Sequence, residues 1–395
     1  MELLTIVHSQ KIEYIPIIYA FIGKIKRHIL FFDHAKQERA FAQELKVSIE
    51  KLYAKYNLKT EIKMIKIDED SKKDMQQIAQ VFEGKSHDIY LNGAGADTAL
   101  FTVLSSIILR NHGKVLAYDN EDNSYNIITQ NGFTNEKIKN SMNLEDFIIL
   151  MGEEILDEMN KGEILAQKDA LNLLFLDVKR MFDIRFLLKQ RKTKELKKRY
   201  PQILKALKTL GIVNDEYIIK GQEGFVKFGY LFEAFIYLQL EGFDFDDIKV
   251  GVKIRFDKEQ VARRNIEVTN EFDILVIKEN KIGFIECKVG DSHDPLGTVY
   301  KSDSIMEYFG ESASSLIVNI ERKKYLKNKK SKMNFGASIL LRAETKKVSI
   351  YNTFYFSRNS FRNKVKKRFE VDIKPEFLEA EKRKSLNELV QKWER

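Results

Sequence analysis

The chain has 395 residues, a formal net charge of +9 at pH 7 and an isoelectric point near 9.1. Its 44% hydrophobic and 32% charged residues exclude a largely disordered chain, and its single cysteine, Cys287, excludes an internal disulfide and a cysteine-based zinc site. No apolar stretch reaches the roughly 20 residues that a membrane helix needs, and the N-terminus lacks a signal-like segment, so we expect a cytoplasmic protein without a membrane partner.

The first third of the chain alternates strand and helix patterns. Apolar runs predict strands at 3–8, 28–33, 60–67, 88–92, 114–118 and 125–129, and helical periodicity predicts helices at 12–25, 36–56, 71–82 and 97–111. This alternation predicts an α/β fold, with a mostly parallel sheet covered by helices on both faces.

Ligands of such sheets bind beyond the carboxyl ends of the strands. Two of these ends carry polar or small residues: His8, Ser9 and Gln10 after one strand, and Asn92, Gly93, Ala94, Gly95, Ala96, Asp97 and Thr98 after another. Small residues in a turn that opens a helix let backbone N–H groups approach a phosphate. An ordinary tight turn also favours glycine, and the spacing is not that of the dinucleotide-binding fingerprint.

From residue 143 to about 210 the pattern is helical, most clearly at 144–159 and 168–189, with a basic segment at 191–199. The chain is about twice as long as a typical domain. We therefore predict a ligand-binding α/β domain at 1–140, a helical linker or subdomain at 141–220, and a second α/β domain at 221–395.

The last part returns to mixed character. The patterns predict a helix at 225–240, a hairpin of strands at 270–277 and 282–288, a helix at 301–309, strands at 315–320 and 337–341, and basic helices at the end. Lysines and arginines cluster at 322–324, 327–332 and 364–368. Such runs favour a polyanionic partner such as nucleic acid, although they also occur on solvated faces.

The predicted hairpin carries ionisable residues where burial disfavours them. A turn at 279–280 sets Asp273 opposite Glu286, a turn at 280–281 sets it opposite Lys288, and both registers leave the three side chains on one face. Two carboxylates and a lysine are costly to bury there unless they bind a cation and activate water. The alternative is a surface hairpin with a salt-bridged face.

A further acid, Glu233, stands inside the helix at 227–238, which is apolar almost all round. A carboxylate in such a helix needs a metal, a lysine or an arginine as its partner. Glu233 is therefore either a further ligand of the hairpin site or one half of a salt bridge.

This arrangement resembles the PD-(D/E)xK phosphodiesterase superfamily, with Glu286-Cys287-Lys288 as its E-x-K element. The resemblance implies a restriction-endonuclease-like domain. In it, Glu233, Asp273, Glu286 and the backbone carbonyl of Cys287 would bind Mg²⁺ or Mn²⁺, and Lys288 would act on the attacking water. Glu271, Tyr300 and Lys301 are candidates for accessory roles, with Lys301 as a basic group near the phosphate.

Over nearly its full length the chain resembles the CARF-domain nucleases of type III CRISPR systems. In that family, a Rossmann-like sensor domain binds a cyclic oligoadenylate and switches on a PD-(D/E)xK nuclease. The resemblance implies that the turns at 8–10 and 92–98 bind this activator. The second turn departs from the family's pattern, because Thr98 stands where a lysine is common and Gly95 alone remains of a glycine pair.

We therefore expect a metal-dependent endonuclease of antiviral defence that cleaves single-stranded RNA or DNA, or nicks duplex DNA. The expected activator is cyclic tetra-adenylate, with cyclic hexa-adenylate as the alternative. Its two-fold symmetric ring predicts a C2 homodimer that grips it with the same loop from each subunit. Two other functions remain open: a constitutive restriction or repair nuclease, and a nucleotide-sensing scaffold with an inactive nuclease domain.

Overall fold

The computed structural model describes residues 1–8, 11–32, 36–67, 78, 88–93, 98–214, 223–256, 268–290, 294–310, 312–321, 335–354 and 356–379. Its contacts divide the chain into two compact units. The first unit is Met1–Ile155 with Arg255–Val268, and the second is Leu156–Ile254 with Thr269–Arg395. Each of the two sheets is accompanied by helices, so the predicted α/β fold class is confirmed.

The first sheet has seven strands. They are β1 (Glu2–Ile6), β2 (Arg27–Phe32), β3 (Glu61–Lys66), β4 (Ile89–Asn92), β5 (Lys114–Asp119), β6 (Ser124–Thr129) and β7 (Gly132–Lys137). The helices of this unit are α1 (Ile15–Ala20), α2 (Lys36–Lys55), α3 (Thr98–Arg110) and α4 (Leu144–Met151), and a short 3₁₀ turn spans Lys11–Glu13.

The order of these strands is β3-β2-β1-β4-β5-β6-β7. Strands β1 to β5 pair in parallel, and β6 and β7 extend the sheet as an antiparallel hairpin. Because β1 lies between β2 and β4, the order of the strands reverses at this point. In open parallel sheets such a reversal opens the crevice in which ligands bind.

Strand β7 is absent from the sequence prediction. All six of its residues are exposed, and the segment has no apolar alternation. It is a strand because its backbone pairs with β6, from Ser124 opposite Lys137 to Thr129 opposite Gly132. Backbone pairing of an exposed strand cannot be predicted from the hydropathy of its residues.

The second sheet has six strands: β8 (Glu154–Asp157), β9 (Asp247–Phe256), β10 (Val268–Lys278), β11 (Lys281–Val289), β12 (Ser314–Ile320) and β13 (Val348–Thr353). Their order is β13-β12-β11-β10-β9-β8. The accompanying helices are α5 (Lys161–Ala166), α6 (Lys168–Phe175), α7 (Val178–Lys189), α8 (Thr193–Arg199), α9 (Pro201–Thr209), α10 (Glu223–Leu240), α11 (Pro295–Phe309), α12 (Ala337–Thr345) and α13 (Arg358–Phe369).

Helices α5 to α10 bury their apolar residues in one cluster, which also takes in one face of β10, β11 and β12. Phe175 of α6 stacks on Phe232 and Phe235 of α10, with ring centroids 5.6 and 5.4 Å apart. Much of the predicted linker at 141–220 is therefore part of this core.

Several predicted elements differ from the structure. The segment predicted as a strand at 337–341 is the first part of helix α12, because a short apolar run fits either periodicity. The helix predicted at 144–159 ends at Met151, where Gly152 takes the left-handed conformation with φ 92°, and strand β8 follows. Strand β9 was missed, although Val250, Val252 and Ile254 alternate as buried residues.

None of the described helices is long and apolar enough to cross a membrane.

Asp146 of α4 anchors this helix to its neighbours in the first unit. The carboxylate is fully buried and accepts hydrogen bonds from the hydroxyls of Tyr19 (2.9 Å) and Tyr56 (2.5 Å) and from Asn143 Nδ2 (2.9 Å). Lys55 Nζ of α2 completes the set at 2.8 Å. Four donors compensate for burying the charge, so the group holds α4 in one position.

We expect Asp146→Ala to lower the free energy of unfolding of the first unit by about 2–4 kcal/mol, because several buried donors lose their acceptor. Urea unfolding followed by circular dichroism measures this. The matched control is Glu145→Ala, whose exposed carboxylate binds the same Lys55 Nζ at 2.7 Å. It should cost less than about 1 kcal/mol. Equal losses for the two variants would contradict an anchoring role for Asp146.

Candidate active site

The hairpin of β10 and β11 turns at Glu279 and Asn280. Its ladder runs from Lys278 opposite Lys281 to Ile274 opposite Ile285. Both turn residues have positive φ, 50° and 64°, as a type I′ turn requires. This is the first of the two registers predicted from the sequence, the one that sets residue 273 opposite residue 286.

Beyond the last ladder pair, Asp273 bonds the neighbouring strand with its side chain. Its Oδ2 accepts the backbone N–H of Cys287 at 2.6 Å. Lys288 Nζ lies 2.5 Å from Glu286 Oε1 and 3.8 Å from Asp273 Oδ2. The structure thus brings Asp273, Glu286 and Lys288 together at one point, as the hairpin pattern predicted.

Glu233 of α10 lies near this group. It is 7% exposed, and its Oε2 is buried without a hydrogen-bond partner among the described residues. Burial, followed by the negative charges of Asp273 and Glu271, raises the pKa of Glu233 to about 9, while Lys288 opposes the shift. Within the described parts of the chain Glu233 forms no ion pair, which argues against the salt-bridge alternative.

The same environment acts on the other charged groups. Burial and then the carboxylate of Glu286 raise the pKa of Asp273 to about 6. Burial lowers the pKa of Lys288, but Asp273 and Glu286 outweigh it and raise the pKa above its ordinary value. Without a metal, Lys288 is therefore an ammonium group held between two carboxylates.

The chemistry of these residues fits a divalent cation. Mg²⁺ and Mn²⁺ prefer carboxylate and carbonyl oxygens, and a double positive charge would offset the burial and the repulsion that together raise the pKa of Glu233 and Asp273. The oxygens do not form a finished cage: no three acidic, histidine or cysteine side chains of the described residues are close enough together to hold a metal ion. A cation would have to displace the ammonium of Lys288.

Cys287 faces away from this group. Its side chain belongs to the hydrophobic cluster, and burial, followed by Asp273 and Glu233, raises the pKa of its thiol well above the usual value. The thiol stays protonated and is unsuited to bind a hard cation. Only the backbone of Cys287 is available to the site.

The three predicted accessory residues differ in how they relate to the site. Lys301 Nζ of α11 lies 3.4 and 3.5 Å from the two carboxylate oxygens of Glu286, so it borders the site. Glu271 is exposed and acts on the site through its charge. The Tyr300 hydroxyl instead accepts a hydrogen bond from Arg342 Nη1 at 2.5 Å.

Sequence reasoning missed Tyr230, which lies one helical turn before Glu233. The charge of Glu271 is the largest cause that raises the pKa of Tyr230, followed by burial. The signal in the sequence was its spacing of three residues from Glu233, which places both side chains on the same side of the apolar helix.

The loops predicted to bind a ligand lie in the first unit. Strands β1 and β4 are parallel neighbours, with Thr5 opposite Asn92, so His8 and Asn92 lie at the carboxyl ends of adjacent strands where the strand order reverses. The ring of Phe101 occupies the space that a side chain at Gly93 would need, since an added Cβ would lie 2.2 Å from it.

Tyr14, which sequence reasoning also missed, joins the two loops. Its hydroxyl donates to the carbonyl of His8 at 3.3 Å, and its own carbonyl accepts from Asn92 Nδ2 at 3.1 Å. Asn92 is fully buried, and its Oδ1 has no partner within the described part of the chain. Thr98 is the first residue of α3. The other predicted ligand residues, Ser9, Gln10, Ala94, Gly95, Ala96 and Asp97, lie outside the described residues.

Of the three predicted basic runs, the structure describes the one at 364–368. The runs at 322–324 and 327–332 lie outside the described residues. In the run at 364–368, Arg368 Nε donates to the carbonyl of Ser315 at 3.0 Å. This arginine therefore serves packing on β12.

The chain is similar to known proteins in one domain and in its fold. Residues 221–340 match the family model described as Card1-like, endonuclease domain. The fold is similar to that of protein VC1899 from Vibrio cholerae, with 14% identity, 92% of this chain and 95% of that chain covered, and a TM-score of 0.65. It is also similar to that of Can2 from Sulfobacillus thermosulfidooxidans in complex with cyclic tetra-adenylate, with 14% identity, 93% and 99% covered, and a TM-score of 0.62.

No curated protein sequence matches the chain closely enough to count as a relative. The domain match and the shared fold nevertheless confirm the resemblance stated from the sequence and the prediction of a nuclease.

The raised pKa of Glu233 predicts how stability depends on pH. The folded state holds a proton that the unfolded chain releases above about pH 4.5, so metal-free protein loses stability as pH rises toward 9. Glu233→Gln removes this loss. We expect the variant to be more stable than the wild type at pH 8 by on the order of 3 kcal/mol, and nearly equal at pH 5.

Urea unfolding in the presence of a chelator, at both pH values, measures the difference. Glu241→Gln is the control, because Glu241 directly follows the same helix and lies 3.5 Å from Lys168 Nζ. A gain for Glu233→Gln that is the same at pH 5 and pH 8 would rule out a titrating Glu233.

Proposed function

We propose that this CARF-domain nuclease, whose residues 221–340 form a Card1-like endonuclease domain, is a metal-dependent endonuclease activated by a cyclic oligoadenylate in type III CRISPR antiviral defence. The observation that carries the proposal is the grouping of Asp273, Glu286 and Lys288 on one hairpin of that domain. This grouping supports the assignment of a PD-(D/E)xK site, which is part of the proposal.

Each group has a task in phosphodiester hydrolysis. Asp273 and Glu286 would hold the cation, Glu233 and the carbonyl of Cys287 would supply further oxygens, and the N–H of Cys287 fixes the orientation of Asp273. When bound, Mg²⁺ or Mn²⁺ would supply Lewis acidity to the phosphodiester and to an attacking water. Lys288 would orient that water through its ammonium group. Lys301 adds positive charge beside Glu286, which would attract a phosphate.

The activator site is assigned to the loops of the first unit. Can2, which shares this fold, is seen in complex with cyclic tetra-adenylate. In the present chain, His8 and Asn92 lie at the carboxyl ends of β1 and β4, where the strand order reverses, and the amino end of α3 at Thr98 favours negative charge. Cyclic tetra-adenylate is our first candidate, with cyclic hexa-adenylate as the alternative.

A C2 homodimer would place the same loops on both sides of the ring. In this proposal residues 1–140 are the sensor and 221–395 the nuclease, the helical segment 141–220 joins them in sequence and packs largely with the second unit, and the enzyme acts in the cytoplasm. The ligand biases the dimer between two arrangements by its difference in affinity for them.

One experiment separates this function from a constitutive nuclease. The protein is incubated with single-stranded RNA, single-stranded DNA and supercoiled plasmid, with Mg²⁺, Mn²⁺ or a chelator, and with cyclic tetra-adenylate, cyclic hexa-adenylate or neither. Cleavage that needs both metal and one of the rings supports the proposal. Cleavage without a ring supports the constitutive alternative, and cleavage in the presence of the chelator contradicts a metal-dependent site.

We expect Glu286→Gln to lower the rate of cleavage by roughly 100-fold or more, because even partners beyond the direct ligands of a metal commonly account for about 10–100-fold. Binding of cyclic tetra-adenylate, measured by calorimetry, should be unchanged. Glu279→Gln, in the exposed turn of the same hairpin, is the matched control and should cleave normally. Normal cleavage by Glu286→Gln would show that the site is wrongly assigned.

Asn92→Ala should have the opposite profile. Losing the bond to the Tyr14 carbonyl frees the loop after β1, so about tenfold more activator should be needed for half-maximal cleavage, while the maximal rate is kept. Asn111→Ala, at the far end of α3, serves as the control. An unchanged activator requirement in Asn92→Ala would place the activator elsewhere.

A further inference from the structure

Two asparagines lie on the strands next to the charged group of Asp273, Glu286 and Lys288, in register with Lys288. In the parallel pairing of β11, β12 and β13, Lys288 is opposite Asn319, and Asn319 is opposite Asn352. Residues in register on neighbouring strands share one face of the sheet. Glu286, two residues before Lys288, and Glu321, two residues after Asn319, share that face as well.

The side-chain amide of Asn319 is held in one orientation. Its Nδ2 donates to Glu321 Oε1 at 2.9 Å and to Asn352 Oδ1 at 2.8 Å. Because the amide nitrogen faces Asn352 of β13, the carbonyl oxygen on the other side of the amide group is left for the side of β11. The Glu321 carboxylate can only accept a hydrogen bond while it is ionised, so it prevents the amide from being reversed.

The side-chain carbonyl oxygen of Asn319 is a buried hydrogen-bond acceptor to which no described residue donates. Asn319 is 0% exposed, and its Oδ1 has no hydrogen-bond partner among the described residues. A buried acceptor without a partner is unfavourable, and such groups in folded proteins call for a specific explanation.

Lys288 is a charged donor on the strand next to that oxygen, whereas Asn352 on the other side turns its own oxygen toward Asn319. Neighbouring strands lie about 4.8 Å apart, and the lysine side chain is long and flexible. In this structure its ammonium is occupied by Glu286, at 2.5 Å. A cation that takes the carboxylates of Asp273 and Glu286 would repel this ammonium and release it from both.

We propose that Asn319 is a positioning residue for Lys288: its carbonyl oxygen receives the ammonium when a divalent cation occupies Asp273 and Glu286, with Glu321 and Asn352 orienting the amide. The inference rests on the proposed metal-dependent function. It explains how the lysine stays beside the scissile phosphate after losing its ion pair, and it makes metal binding more favourable.

The test measures Mn²⁺ binding to the full chain by calorimetry, without nucleic acid or activator. Four proteins are compared: the wild type, Asn319→Leu, Lys288→Met and the double variant. We expect Asn319→Leu to weaken Mn²⁺ binding about tenfold in the wild type and to have no effect in the Lys288→Met background, since coupled residues give non-additive effects. Ser315→Ala is the matched control, because Ser315 is also fully buried on β12 with an unpartnered Oγ within the described residues, but lies opposite Phe284 and Val348.

Weakening by the same factor in both backgrounds would mean that Asn319 acts on the fold alone, and no weakening in either would mean that it does not receive the ammonium. Both results overturn the inference. Asn319→Ala repeats the comparison with a smaller side chain in case leucine prevents folding. If the wild type itself binds no Mn²⁺, the proposed metal-dependent function fails, and the role of Asn319 fails with it.

Discussion

The proposed nuclease site depends on the place where backbone pairing between β10 and β11 gives way to a side-chain bond. At that place Asp273 accepts the Cys287 N–H, which fixes its carboxylate against β11. The alternation of side chains along β11 then brings Glu286 and Lys288 within ion-pairing distance on the same face and turns Cys287 into the core.

The electrostatic state of the site follows from that geometry. Burial, and then repulsion between acids that are held close together, raises the pKa of Glu233 and of Asp273. One lysine compensates for part of this charge. The fold therefore holds the groups in a state that costs stability in the absence of a cation, as functional sites commonly do.

The sequence predicted the elements whose signal is local. The alternation in β10 and β11 placed Asp273, Glu286 and Lys288 on one face, and the apolar surroundings of Glu233 marked it as unusual. Contacts that depend on distant parts of the chain were not predictable: Tyr14 joins two loops whose strands meet only in the sheet, and Asn319 becomes a neighbour of Lys288 only through the order β11-β12-β13. The predictions for helix α12 and strand β7 were wrong for another reason. Hydropathy in a short segment does not distinguish the period of a helix from that of a strand, and it does not reveal backbone pairing.

The turn at Glu279 and Asn280 has a consequence for how such a site can change over generations. Both positions need left-handed backbone conformations, and glycine or aspartate would meet that need at the exposed Glu279, whereas Asn280 is only 2% exposed and is constrained by its surroundings as well. The number of residues in the turn is constrained too. One inserted residue that shifted the pairing by one position would exchange the two faces of a strand and carry Asp273 or Glu286 into the hydrophobic core. The proposed active site thus constrains the length of a turn that none of its own residues belongs to.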